Sequence, residues 1–158
     1  MNNTADLIYK LLVDMTDHHS ASIKRIMKWV YLVDWRLCLY ANAKLNDLKW
    51  LHDWCGPSSY DVAQIARQRN DIFQVEDVES DDGCEKTIVQ VRDKNHLVYL
   101  SQEVLAAIGH ITRVARKLPW GDLSLLVSST RPMMMSSIGD EVDLCAIANY
   151  CRTQDGLT

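Results

Sequence analysis

The 158-residue chain has one phenylalanine, three prolines and six glycines. So few helix breakers leave room for long helices and exclude a Pro/Gly-rich low-complexity chain. There is no CxxC pair, and the five cysteines, Cys38, Cys55, Cys84, Cys145 and Cys151, are odd in number and widely spaced. That argues against a disulfide framework and for a reducing setting such as the cytoplasm. No GxGxxG, Walker A or GxSxG pattern occurs, so no nucleotide or serine-hydrolase fingerprint is present. No run of 18 apolar residues occurs, and the first residues carry neither a basic n-region nor a clear cleavage site, so neither a membrane span nor a signal peptide is expected. Positive charge is also not in excess: 17 Lys and Arg face 21 Asp and Glu, a net charge of −4. A dedicated nucleic-acid binder is therefore not expected.

What is present is 47% hydrophobic residues and an aromatic content dominated by five Trp and six Tyr. A chain of this length and balance is read as a single domain, 1–158, with a buried core. The spacing of Leu7, Ile8, Leu11, Leu12 and Met15 predicts a helix over 4–15, with Thr4 as its cap. From Ile23 to about Ala43 the sequence is apolar nearly all round, which predicts a central buried helix. Over 44–56, Trp50 and Trp54 stand four apart and share a face if the segment is helical. Gly56-Pro57 signals a turn, and Ser58 or Ser59 starts a helix running to about Arg69.

Residues 72–93 alternate apolar and polar side chains about an acidic loop, the pattern of one β-hairpin. From Asp71 to Glu85 there are seven acidic residues and no basic one. Such a run is either a solvated loop or a steering surface for a basic partner. Ser101 caps a further helix stopped by Pro119, a short helix opens at Gly121-Asp122 and ends at Pro132, and a last helix covers about 140–151. The expected fold is mainly α (α+β), a compact helical domain around the 23–43 helix with one hairpin at 72–93.

Candidate chemistry is sparse. His18-His19 and His52 with Cys55 have ligand character, but nothing completes a three- or four-ligand zinc site, so neither a metal nor another cofactor is assigned. A His52–Cys55 nucleophile pair has no surrounding signature. Asp34 lies in the most apolar helix; a buried carboxylate needs a partner, so it either meets a helix end or an Arg, or faces a partner groove. Trp50 and Trp54 are either core or interface anchors, since Trp is enriched at binding hot spots.

The run Lys28-Trp29-Val30-Tyr31-Leu32-Val33-Asp34 resembles the K-L-L-Y-L-A-D helix of the SocA/Panacea antitoxin-type domain family, which includes phage-associated members. The segment Trp50 to Val62, with Gly56-Pro57 and Asp61-Val62, resembles that family's W-x-x-x-x-x-G-P-x-x-x-D-V stretch. Leu118-Pro-Trp-Gly-Asp-Leu123 and Ser129-Thr-Arg-Pro132 follow in a similar order. Val33 departs from the family's Ala, and Met133-Met134-Met135 has no counterpart in its pattern. The resemblance implies a helical, non-enzymatic protein that binds and neutralises a cognate toxin by direct contact or as an adaptor to a protease. The residues expected to meet the partner are Asp34, Trp50, Trp54, Gly56, Pro57, Ser58, Tyr60 and Asp61. A homodimer through an apolar patch near the Trp pair is a further expectation. A DNA-binding regulator using the basic end of the 101–118 helix, or a small metal-dependent hydrolase using His18, His19, His52 and Cys55, are the competing readings.

Overall fold

The computed structural model describes residues 3–41, 48–79 and 83–155. In chain order the elements are α1 (Thr4–Met15), β1 (Ser20–Ser22), α2 (Ile23–Tyr40), β2 (Trp50–Asp53), β3 (Gly56–Ser58), α3 (Tyr60–Gln68), β4 (Phe73–Glu79) and β5 (Glu85–Val91). They continue with α4 (Gln102–Ala115), α5 (Trp120–Ser128), α6 (Arg131–Met135), β6 (Glu141–Val142) and α7 (Leu144–Asp155).

The fold is α+β, not mainly α with one hairpin. The described residues are 55% helix and 18% strand, arranged as seven helices and two three-stranded antiparallel sheets. The first sheet, ordered β1-β5-β4, contains the expected hairpin, with Phe73 opposite Val91 and Val75 opposite Val89, but β1 extends it. The second, ordered β3-β2-β6, takes in the 50–53 stretch whose tryptophan spacing would suit a helix, the expected Gly56-Pro57 turn and the start of the expected last helix. Strands of two to four residues are too short to show period-two alternation, and β6 owes its character to a pairing partner about 90 positions earlier.

Three boundaries differ from the sequence expectation. Asn3 caps α1, its side chain accepting from the Ala5 N–H at 2.8 Å, and Thr4 is already helical. Pro132 does not end a helix; it occupies the first turn of α6, where its missing N–H costs nothing. The last helix starts at Leu144 because 141–142 pair with β2. The central helix ends at Tyr40, with Ala41 as its cap; the rest of its expected span, 42–43, lies outside the described residues.

α2 packs against α1, α4, α5 and α7 and against β1, β3 and β5. That surround explains why residues 28–35 are all buried, Lys28 and Asp34 included. Ser22 caps its N-terminus, accepting from the Arg25 N–H at 3.3 Å. Ser101 does the same for α4 through the Val104 N–H. No helix among the described residues is long and apolar enough to cross a membrane.

Candidate functional site

The β2–β3 hairpin is the part of the fold where sequence expectation and structure diverge most. The chain reverses at Trp54-Cys55, and the positive φ that this reversal needs falls on Gly56, at +104°. Pro57, which has no N–H to give, sits in β3 at the edge of the three-stranded sheet. In a strand, not a helix, Trp50 and Trp54 part company. Trp50 is buried at 1% exposure, whereas Trp54 at the turn is 84% exposed.

Beneath the hairpin, Trp50 Nε1–H donates to Asp34 Oδ2 at 2.8 Å. Asp34 is fully buried, and the Trp50 indole N–H is one donor to its carboxylate. The Trp50 ring meets Tyr31 edge-on, with centroids 5.5 Å apart. Tyr31 Oη lies 2.7 Å from Thr130 Oγ1, and Thr130 in turn donates to the Val127 carbonyl. Burial, partly offset by the Thr130 hydrogen bond and reinforced by the Asp34 charge, holds the Tyr31 hydroxyl well above the ordinary tyrosine range. This chain of contacts joins α2, β2 and the end of α5.

Above this support lies a cleft of about 580 Å³ between the hairpin, α5 and the 133–138 segment. Its apolar walls include Trp54, Trp120, Leu125 and Ile138, and each of these side chains is exposed. Lys28 also lines it, with the residue only 2% exposed. Its ammonium donates to the Cys55 carbonyl and lies 5.0 Å from the centre of the Trp120 ring. Arg25 approaches the same ring at 5.6 Å. Burial pushes the Lys28 ammonium below the ordinary lysine value; Cys55 pulls it back up and Lys24 adds to the fall. A Cβ at position 56 would stand 2.8 Å from Lys28 Nζ, so the ammonium would have to shift.

Of the residues expected to meet a partner, Trp54 and Gly56 line the cleft. Asp34 and Trp50 are buried below it, and Pro57 is buried in β3. Ser58 is half-buried, its Oγ 4.0 Å from Met27 Sδ. Tyr60 is exposed at the start of α3, outside the cleft lining, and Asp61 accepts from the Lys49 N–H at 3.2 Å. Lys28, Trp120, Leu125 and Ile138 were not picked out as site residues in the sequence. The resemblance motifs do contain Lys28 and Trp120, but their convergence depends on α5 folding back across α2.

His52 shares a 2.8 Å hydrogen bond with Ser136, and Cys55 Sγ accepts from Lys24 Nζ at 3.8 Å; no hydrogen bond joins His52 to Cys55 among the described residues. Nor do the described residues contain a group of three or more His, Cys, Asp or Glu placed to hold a metal ion. At the basic end of α4, Arg116 is engaged with the Asp14 carbonyl and the Asp17 carboxylate. In the acidic hairpin, Asp71 pairs with Arg69 at 3.0 Å, and Asp77 with Arg67 at 2.9 Å. No known family model matches the chain, and no curated protein or solved structure matches it.

Proposed function

We propose that the protein is an antitoxin-like binding module, neutralising a cognate protein toxin by direct contact through the cleft beside Trp54. The observation that carries this reading is the grouping of exposed Trp54, Trp120, Leu125 and Ile138 around one concave site with a buried ammonium in its wall. Exposed tryptophans beside a pocket are the side chains that dominate protein–protein affinity, because each removes a large apolar area from water at little entropic cost. The hairpin that presents Trp54 is braced by the buried Asp34–Trp50 pair, so the anchor sits on a fixed support. The resemblance to antitoxin-type domains supplies the class of partner, and with it the second route of delivering the bound toxin to a protease.

The test is co-expression with the product of the adjacent reading frame. The neighbouring product should arrest growth alone, be tolerated when this protein is present, and co-purify with it. Toxicity that is absent, or is not relieved by this protein, overturns the reading. Trp54→Ala should weaken capture without lowering thermal stability, and an unchanged capture would remove the cleft from the account.

A further inference from the structure

The most unusual group in the cleft is Lys28. A buried ammonium is costly unless charge or hydrogen bonds compensate it. Among the described residues Lys28 has no carboxylate within salt-bridge distance; its contacts are the Cys55 carbonyl and the Trp120 ring face. A carbonyl and a π-face are weak compensation for a full charge, and an ammonium has three N–H donors. The one carboxylate in the described lining, Asp53, is exposed at the hairpin end and accepts from the Trp54 N–H at 2.7 Å. Lys24, which donates to Cys55 Sγ, and Arg25, above Trp120, bring further positive charge to this side of the cleft. The cleft thus pairs apolar walls with an uncompensated buried cation.

Resting on the reading of this cleft as the partner's seat, we propose that Lys28 anchors a carboxylate carried by an apolar segment of the protein partner. The partner segment would place its carboxylate against Lys28 Nζ while its apolar neighbours cover Trp54, Trp120 and Leu125. Such a pair, formed away from water, is charge-assisted and strong. It also makes the interaction selective, since a segment lacking the carboxylate would leave the ammonium buried and unpaired.

The probe is hydrocinnamate, a carboxylate on a short aromatic arm, with hydrocinnamamide as its uncharged isostere. Both are titrated into the whole protein, and the amide resonances of Cys55 and Gly56 and the Trp120 indole signal are followed. Hydrocinnamate should produce saturable shifts at all three, and the amide should bind on the order of tenfold more weakly or less well still. Lys28→Met should abolish the difference, while Lys28→Arg should restore it in part. Equal binding of acid and amide, shifts that miss these three positions, or no saturable shift by either compound overturns the proposal. The acid–amide comparison uses the unaltered protein, so it stands even if a Lys28 variant folds poorly. It also needs no partner: it can fail while Trp54-dependent toxin capture succeeds, and the reverse.

Discussion

Replacing Trp50 by Phe separates support from surface. The substitution removes the Nε1–H that donates to Asp34 at 2.8 Å and part of a ring packed edge-on against Tyr31. A buried carboxylate deprived of a donor costs about 1.5–3 kcal/mol. The space left by the missing part of the indole adds about 1–2 kcal/mol, because a site surrounded by α2 and β3 relaxes only in part. The expected loss is therefore about 2.5–5 kcal/mol, which for a domain of this size lowers Tm by roughly 5–20 °C. Trp54→Phe, at a residue 84% exposed, should stay within about 0.5 kcal/mol of the parent. Urea denaturation followed by far-UV circular dichroism measures both. A Trp50→Phe loss under about 1 kcal/mol, or a Trp54→Phe loss of comparable size, would refute the assignment of one Trp to the core and the other to the surface.

Gly56→Ala should destabilise by about 1–3 kcal/mol, because the +104° φ disfavours a Cβ and that Cβ would displace Lys28 from the Cys55 carbonyl; urea midpoints test it. Folding lowers the Lys28 pKa, so the unfolded chain holds the proton more tightly. The resulting penalty is full below the folded value and fades as pH rises toward the ordinary lysine value, so stability should rise with pH across that alkaline window. In Lys28→Met that contribution to the slope should vanish. Asp77 runs the opposite way in cause: hydrogen bonds from Thr87 and Arg67 hold its carboxyl below the usual range, so its contribution is present above that range and is lost as pH falls through the folded value. Asp77→Asn should flatten the acid limb of the stability curve. Finally, Cys38 and Cys145 bring their sulfurs within 2.9 Å across the α2–α7 contact. Diamide should oxidise this pair to a disulfide, seen as a mass lower by two hydrogens, and Cys38→Ser should prevent that crosslink.

How much of this was legible depended on the range of the interactions involved. The cap at Ser101 and the alternation through Phe73, Val75, Val89 and Val91 rest on neighbours within a few residues, and both appear in the structure. The central position of α2 follows from an apolar surface that has to be covered on every side. The β2–β3 hairpin is not legible because Trp50 and Trp54 at i and i+4 also suit one helical face. The local signal against a helix was Gly56-Pro57, which reverses the chain directly after Trp54. β6 carries almost no signal in two residues, and its pairing is set by β2, about 90 positions earlier. Asp34 reads as a buried carboxylate that needs a partner, but nothing near it in the sequence points to an indole 16 residues away. Nothing local marks Lys28 as a site residue; only the fold of α5 over α2 gives it Trp120 and the cleft.

The central claim is that the cleft beside Trp54 holds the toxin. Leu125, 66% exposed on the cleft wall, gives the most direct test, because a charge there disturbs the surface and not the core. Growth is measured in cells co-expressing the adjacent reading frame's product with the parent or with Leu125→Asp. The account predicts that the parent restores growth and that Leu125→Asp, at unchanged Tm and expression, does not. Equal protection by the two proteins would contradict it.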